Sequence, residues 1–325
     1  MGLLTKAQGS SRHGENKDPF LITLPKATDS DGTCLALLSR VTYGQLISQA
    51  SYPRPVLRPP TALHRIAPSS GAGLGVFAVR HLLAGELVFS ERPLLIVPAS
   101  ATECEWESCA ARLPPGALAT FIALADAGAC GGDRPAARRI RTNGVRAHSL
   151  GGSDGSHYLA VGALAGRPLT DGDSCTPNAV LRFDSRALTL DLRVLRDVRE
   201  GTELRVSYCD VLAPLARRRA ALAAHGFVCA CGACASGAAG DSLRARIRVP
   251  DLHFISSPAV GIQRCVLQLM QLERAGLEAA DAYGTCLAML AGLYRRIGDR
   301  HKAVEYKRRA GAWMFAVKGE IEGLA

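Results

Sequence analysis

The sequence predicts an α+β chain, with small sheets of short strands in its middle and helices in its last third. Three observations point there. Between Leu188 and Val194 apolar residues alternate with Thr189, Asp191 and Arg193, a period of two that fits a half-buried strand. Between Gly71 and Val97 short apolar runs are punctuated by glycines. After Gly240 the apolar residues recur at three- and four-residue spacing, as on one face of a helix.

Taken in order, residues 1–60 mix Gly, Ser, Pro, Asn and Asp with apolar fragments and predict a poorly ordered arm, with helical character over Leu35–Leu46 and a stiff linker at Pro53, Pro55, Pro59 and Pro60. Gly71-Ala72-Gly73-Leu74-Gly75 reads as a glycine turn leading into a strand at Val76–Val79. Taken alone, that turn is better explained by a hairpin than by a ligand loop. Leu87–Phe89 and Leu94–Val97 read as two further strands. Residues 101–150 predict a partly helical insert, apolar over Leu118–Ala127, with Cys104 and Cys109 as free thiols. The strand at Leu188–Val194 is followed by a turn at Arg199–Thr202 and a second strand whose Leu204, Val206 and Tyr208 share one face. Three helical stripes close the chain. They are Ile262, Cys265, Val266, Leu269 and Leu272; then Tyr283, Cys286, Leu287, Leu290, Leu293 and Ile297; then Ala303, Tyr306, Ala310, Trp313, Met314 and Val317. Gly298-Asp299 joins the last two as a C-terminal glycine and an N-capping aspartate.

Composition narrows the function classes. With 325 residues and an apolar fraction of 48% the chain can bury a sizeable core, built from Leu, Ala and Val because aromatics are only 5%. The net charge of +10 admits anionic partners, yet the clusters Arg217-Arg218-Arg219 and Arg138-Arg139 with Arg141 lack interleaved aromatics, so they read as solvated surface rather than a nucleic-acid platform. No secretory leader and no apolar run of membrane-spanning length appears. The 11 cysteines are therefore expected in a reducing compartment, where clustered thiols are metal ligands more often than disulfides.

The tightest cluster is Cys229, Cys231 and Cys234, with Gly232 easing the turn. Three thiolates at that spacing can fold around one Zn(II), and Cys175 upstream is the natural fourth ligand. Four thiolates leave no position for a reactive water, so this zinc would be structural, a clip tying the segment after Tyr208 back onto the loop at Cys175.

With these motifs in place, the chain resembles SET-domain protein lysine methyltransferases, most of all the SMYD-type branch and its fungal relatives. Gly73-Leu74-Gly75-Val76-Phe77 resembles the opening Gly-x-Gly strand. Ser174-Cys175-Thr176-Pro177-Asn178 resembles the second half of the Asn-His-Ser-Cys-x-Pro-Asn signature. Glu200–Leu204 followed by Ser207-Tyr208 resembles the strand that ends in the active-site tyrosine, and Phe227–Cys234 the post-SET zinc segment. The resemblance covers roughly residues 62–236. It implies small antiparallel sheets with a knot-like crossing near the signature, a SET domain over 61–211, a post-SET zinc segment over 212–240 and a helical, tetratricopeptide-like region over 241–325.

It further implies S-adenosylmethionine as cofactor, touched by Gly73, Leu74, Gly75, Asn143, Asp173, Ser174 and Phe227. Tyr208 would orient a substrate lysine amine, and Cys175, Cys229, Cys231 and Cys234 would hold structural zinc. A protein substrate follows, histone or not, together with a partner for the terminal helices, no membrane, no direct nucleic-acid contact, and residence in the nucleus, the cytoplasm or both. Two features depart from the family. Gly172-Asp173 stands where the signature has Asn-His, and the zinc-finger insert of SMYD proteins is missing. The first departure keeps open a second reading, a catalytically silent SET scaffold that retains zinc and presents its helices to a partner. A zinc module binding nucleic acid is a third.

Overall fold

The computed structural model describes residues 19–25, 31–69, 73–126, 128, 134–150, 157–166, 175–223, 228–247 and 257–319. A mixed sheet takes strands from three distant parts of the chain. β1 (Phe20–Leu24) pairs antiparallel with β2 (Cys34–Leu38), and β2 runs parallel to β6 (Leu95–Pro98). β6 then pairs antiparallel with β8 (Tyr158–Val161), which carries the edge strand β7 (Gly144–Arg146).

The expectation of a poorly ordered arm over 1–60 therefore fails for its described part. Leu24, Cys34, Ala36, Leu38 and Leu46 are all buried in the main core. The expected helix over Leu35–Leu46 is corrected too. Its first half is β2, and the helix α1 (Arg40–Ile47) starts only after Ser39, whose side chain accepts from the Thr42 amide at 3.1 Å. The Tyr158 hydroxyl then donates to Thr42 Oγ1 at 3.0 Å and so ties α1 to β8.

Two smaller antiparallel sheets complete the β layer. β3 (His64–Pro68) and β4 (Leu74–Ala78) form a hairpin, and β5 (Leu87–Glu91), β10 (Thr189–Val194) and β9 (Ala179–Asp184) lie in the order β5-β10-β9. The second strand expected over 204–208 is reduced to isolated backbone links, among them Phe77 with Glu203. β10 also differs from expectation, because both of its faces are buried. Asp191 on the polar face accepts from the hydroxyls of Ser90 at 2.6 Å and Thr189 at 2.8 Å. Arg193 lies 4.3 Å from the ring centroid of Phe315 and donates to the Gly85 carbonyl. Polar residues are tolerated there because each is paired.

The insert supplies α2 (Glu103–Ala110), α3 (Pro115–Ile122) and α4 (Pro135–Asn143). Thr102 and Glu105 form a capping box that starts α2. Trp106, Cys109, Phe121 and Ile140 from these helices cover Leu95, Val97 and Val161 of the mixed sheet. Cys104 is exposed and Cys109 buried. After β10 come α5 (Leu215–Ala223), α6 (Gly232–Ala235) and α7 (Gly237–Arg246), then α8 (Pro258–Arg274), α9 (Asp281–Arg296) and α10 (Arg300–Val317).

The last three helices share a second core containing Cys265, Leu269, Leu272, Cys286, Leu287, Leu290 and Trp313. Their junction is as read from the sequence: Gly298 has φ +82° and the Asp299 carboxylate accepts from the Lys302 amide at 3.0 Å. Only Ile297 leaves its stripe, being half exposed.

A direct test of this packing is Gly284→Ala. The Trp313 indole lies flat against Gly284, and a methyl there would overlap its six-membered ring. The indole cannot retreat easily, because its Nε1 donates to the Glu278 carbonyl at 2.6 Å. Helix propensity favours Ala over Gly by about 1 kcal/mol, whereas forced overpacking costs typically ~1–3 kcal/mol and sometimes more. The variant is therefore expected to lose stability, seen as a lowered midpoint in urea unfolding; a raised midpoint would show that the helices part without strain.

Candidate active site and metal centre

The described part of the signature loop begins at Cys175, and Asn178 fixes where it goes. Asn178 Nδ2 donates to the Glu203 carbonyl at 2.8 Å, and its Oδ1 accepts from the Arg205 amide at 2.7 Å. The amides of Asn178 and Ala179 both donate to the Arg205 carbonyl. One amide side chain thus aligns the signature loop with residues 203–205 and, through them, with Ser207-Tyr208. Glu203 is fixed from its other side: Oε1 accepts from Ser69 Oγ at 2.7 Å and Oε2 from both Arg205 Nε and Nη2. Its carboxylate occupies the space beside Gly75, where a Cβ would overlap Oε1. Gly75 thus leaves room for that carboxylate beside the segment that leads to Tyr208.

The four cysteines expected to form one centre do come together. The Sγ atoms of Cys175, Cys229, Cys231 and Cys234 all lie within 4.8 Å of one another, and those of Cys175 and Cys234 are 3.4 Å apart. In a tetrahedral Zn–S₄ site the sulfurs stand about 3.8 Å apart, given bonds of ~2.3 Å. Three of the four are buried and Cys231 is partly so.

The electrostatics fit a cation as well. The Cys231 thiolate is strongly favoured by hydrogen bonds from Cys175 and then Cys229, while Cys175 is pushed far up by Cys209, Cys229 and Cys231. Cys229 is pulled down by Cys175, but Cys231 and burial win and leave it at about 12. Four thiolates cannot share this volume without positive charge among them, and a divalent ion supplies it.

Sequence reasoning missed the cluster's cationic surround. Arg218 was expected on a solvated face with Arg217 and Arg219; those two are exposed, but Arg218 is fully buried against the sulfurs. Burial works against its charge, yet hydrogen bonds to Cys175 and Cys234 outweigh it and hold the guanidinium protonated. Arg244 is also buried, donating to the carbonyls of Val211 at 2.7 Å, Gly240 at 3.2 Å and Cys175 at 3.3 Å. Every-fourth spacing in α5 offered a hint, since Arg218 and Leu222 share a helix face.

Tyr208 is half-buried and packs against this cysteine cluster, as do Cys209 and Leu215. Its other side lines a cleft of about 1240 Å³, floored by Ala179, Val180, Leu181 and Val206 and closed by Ala279–Ala282 at the start of α9. The tyrosine thus stands between the sulfur centre and the cleft, with its hydroxyl oxygen buried.

The residues expected to touch a cofactor are placed less completely. Gly73, Leu74 and Gly75 lie at the start of β4 and are not among those lining the cleft. Asn143 ends α4, fully buried, with Nδ2 donating to the carbonyls of Ala125 and Arg139 at 2.8 Å each. Its Oδ1 is buried without a hydrogen bond among the described residues and lies beside Gly166. A buried acceptor left so fits a hydrogen-bond donor on a bound group. Asp173, Ser174 and Phe227 lie outside the described residues, as do Gly172 and the approach to the expected crossing.

Besides the cleft lining at Ala279–Ala282, Arg196 ties the segment between α8 and α9 to the signature loop. Arg196 Nη1 donates to the Pro177 carbonyl at 2.9 Å and to the Glu278 carboxylate at 2.8 Å. Glu278 is buried, which raises its pKa, and Arg196 opposes that rise. Glu278→Leu is expected to cost about 1–2 kcal/mol in urea unfolding, less than a wholly buried pair because Arg196 is partly exposed. Glu278→Gln retains an acceptor and is expected to cost less. Equal losses would show that the Arg196 contact contributes nothing.

Residues 73–209 match the family model of the SET domain, a segment that ends one residue past Tyr208 and covers less than half of the chain. No curated protein matches the chain by sequence. Among solved structures, one similar chain is a Plasmodium falciparum protein described as a candidate histone methyltransferase, 16% identical with a TM-score of 0.24; the match covers 46% of this chain and 95% of that one. Another is the Neurospora SET domain protein DIM-5, a histone lysine methyltransferase, 17% identical with a TM-score of 0.23, over 45% of this chain and 52% of that one. Likeness at this level carries no functional weight. Among the described residues no helix is long and apolar enough to cross a membrane.

Proposed function

We propose that the chain is an S-adenosylmethionine-dependent protein lysine N-methyltransferase with a structural zinc. The observation that carries this reading is the position of Tyr208: within a segment matching the SET domain, it packs on a four-cysteine centre and lines a cleft of about 1240 Å³. On this reading Cys175, Cys229, Cys231 and Cys234 hold zinc, and the cofactor is held by Gly73, Leu74, Gly75, Asn143, Asp173, Ser174 and Phe227. When bound, the cofactor supplies an electrophilic methyl group.

The chain's own residues align and desolvate the nucleophile. The apolar floor of the cleft strips water from the lysine amine, which favours its neutral, nucleophilic form. The Tyr208 hydroxyl orients that amine, and its fixed place against the sulfur centre lowers the cost of alignment. Substrates are proteins, histone or other, met in the nucleus or cytoplasm. The terminal helices offer a surface for a protein partner.

The test is mass-spectrometric detection of methyl groups on lysine peptides and proteins after incubation with S-adenosylmethionine. Mass gains of methyl size confined to lysine would support the proposal. Gly172-Asp173, in place of Asn-His, favours the competing reading of a silent scaffold. Calorimetry separates the two, since no heat of binding with the cofactor or its demethylated product at millimolar concentration would favour the scaffold.

A further inference from the structure

The cleft beside Tyr208 is electrically lopsided. Arg146 at the end of the edge strand β7, His148 in the turn after it, and His157 just before β8 line one part of it, all three exposed. Among the described residues no carboxylate pairs with Arg146. The cleft's other cation, Arg141, is already engaged by Glu103 at 2.7 Å and lies over the Trp106 ring. Of the two cleft carboxylates, Asp210 accepts from the Leu212 amide at 2.9 Å and Asp281 is paired with Lys318 at 2.7 Å. Asp210 keeps its negative charge two residues from Tyr208, so the positive charge left to an incoming segment is local to the side formed by β7 and β8.

We propose that Arg146, His148 and His157 select substrate segments that carry an Asp or Glu side chain near the lysine delivered to Tyr208. This rests on the methyltransferase reading and names its substrate class: acidic-flanked lysines rather than strongly basic tails. Partial desolvation of the otherwise exposed ring, and then the nearby charges of Arg146 and His157, hold His148 below its ordinary pKa. Arg146 is thus the fixed charge at neutral pH, and an arriving carboxylate pairs with it. The apolar floor of Ala179, Val180, Leu181 and Val206 takes the aliphatic parts of the segment. Like charges brought to such a corner are penalised, so the selection works against basic sequences as much as for acidic ones.

Binding of fluorescein-labelled peptides to the full chain, followed by anisotropy without cofactor, tests this independently of any turnover. The peptides share one central lysine and differ only in glutamate or arginine flanks. The glutamate peptide is expected to bind roughly tenfold more tightly at low salt, a preference that shrinks as salt screens it. Arg146→Glu is expected to abolish or reverse the preference, and His157→Glu to weaken it, with unfolding midpoints unchanged because both side chains are exposed. Equal or tighter binding of the arginine peptide, or an unaltered preference in Arg146→Glu, would overturn the proposal. Acidic selectivity without methyl transfer would sink the enzymatic reading alone.

Discussion

Cys231→Ser is expected to lose zinc and, with it, the order of the segment around Tyr208. The wild-type chain is expected to hold stoichiometric zinc by elemental mass spectrometry, and the variant far less. Serine offers no thiolate, and Cys231 is the sulfur whose ionised form its neighbours favour most. Apparent binding energies of structural zinc sites are about 10–16 kcal/mol at neutral pH, so even a partial loss outweighs any single hydrogen bond in this region. The effect should not stay local. Cys175 is the anchor of the loop that Asn178 aligns with 203–205, and Arg244 holds that loop through the Cys175 carbonyl. Arg218, fully buried, would keep the Asp241 carboxylate at 3.3 Å but lose part of the negative charge of the sulfurs beside it.

Hydrogen exchange is the measurement to make. Amides of α5 and of 228–247 should lose protection, while those of α9 and α10, which belong to the second core, should keep theirs. A variant that retains full zinc, or one whose loss of protection spreads evenly over all helices, would show that the four sulfurs do not form the clip.

What was legible in the sequence and what was not divides by distance along the chain. Cys229, Cys231 and Cys234 sit within six residues, so their shared chemistry is visible without coordinates. The terminal helices were equally plain, because period and caps are local signals. β2 was hidden. Its Cys-Leu-Ala-Leu-Leu run makes sense only as an inner strand lying parallel to β6, far along the chain, and without that partner it reads as a helix fragment.

The polar face of β10 misled for the same reason. Alternation predicts solvent on one side, but Phe315 of α10 covers Arg193 from more than a hundred residues away. Arg218 is the sharpest case. Three adjacent arginines look like solvated surface, and only the buried thiols explain why the middle one turns inward. For the site itself, Cys175 and Tyr208 came from motif and spacing, whereas Arg244, Glu278 and the cleft basic residues had no local signature at all.

Tyr208→Phe separates alignment from architecture at the centre of the proposed reaction. The ring's contact with the cysteine cluster is apolar, so phenylalanine keeps it, and zinc content and unfolding midpoint are expected to match the wild type closely. What is removed is one hydroxyl, buried where the tyrosine borders the cleft. If that hydroxyl orients the amine and supports charge as it develops, its loss should lower kcat by about 10²–10³-fold, the range seen when one preorganised donor is deleted. KM for the peptide should change little, because the apolar floor and the charged corner of the cleft supply ground-state binding. Single-turnover methyl transfer followed by mass spectrometry reads the chemical step directly. A variant with unchanged kcat would show that Tyr208 is a wall of the cleft and nothing more, and one with lowered kcat and lost zinc would assign the effect to folding. A lowered kcat with zinc, midpoint and KM intact leaves orientation of the lysine amine as the one role that accounts for all four measurements.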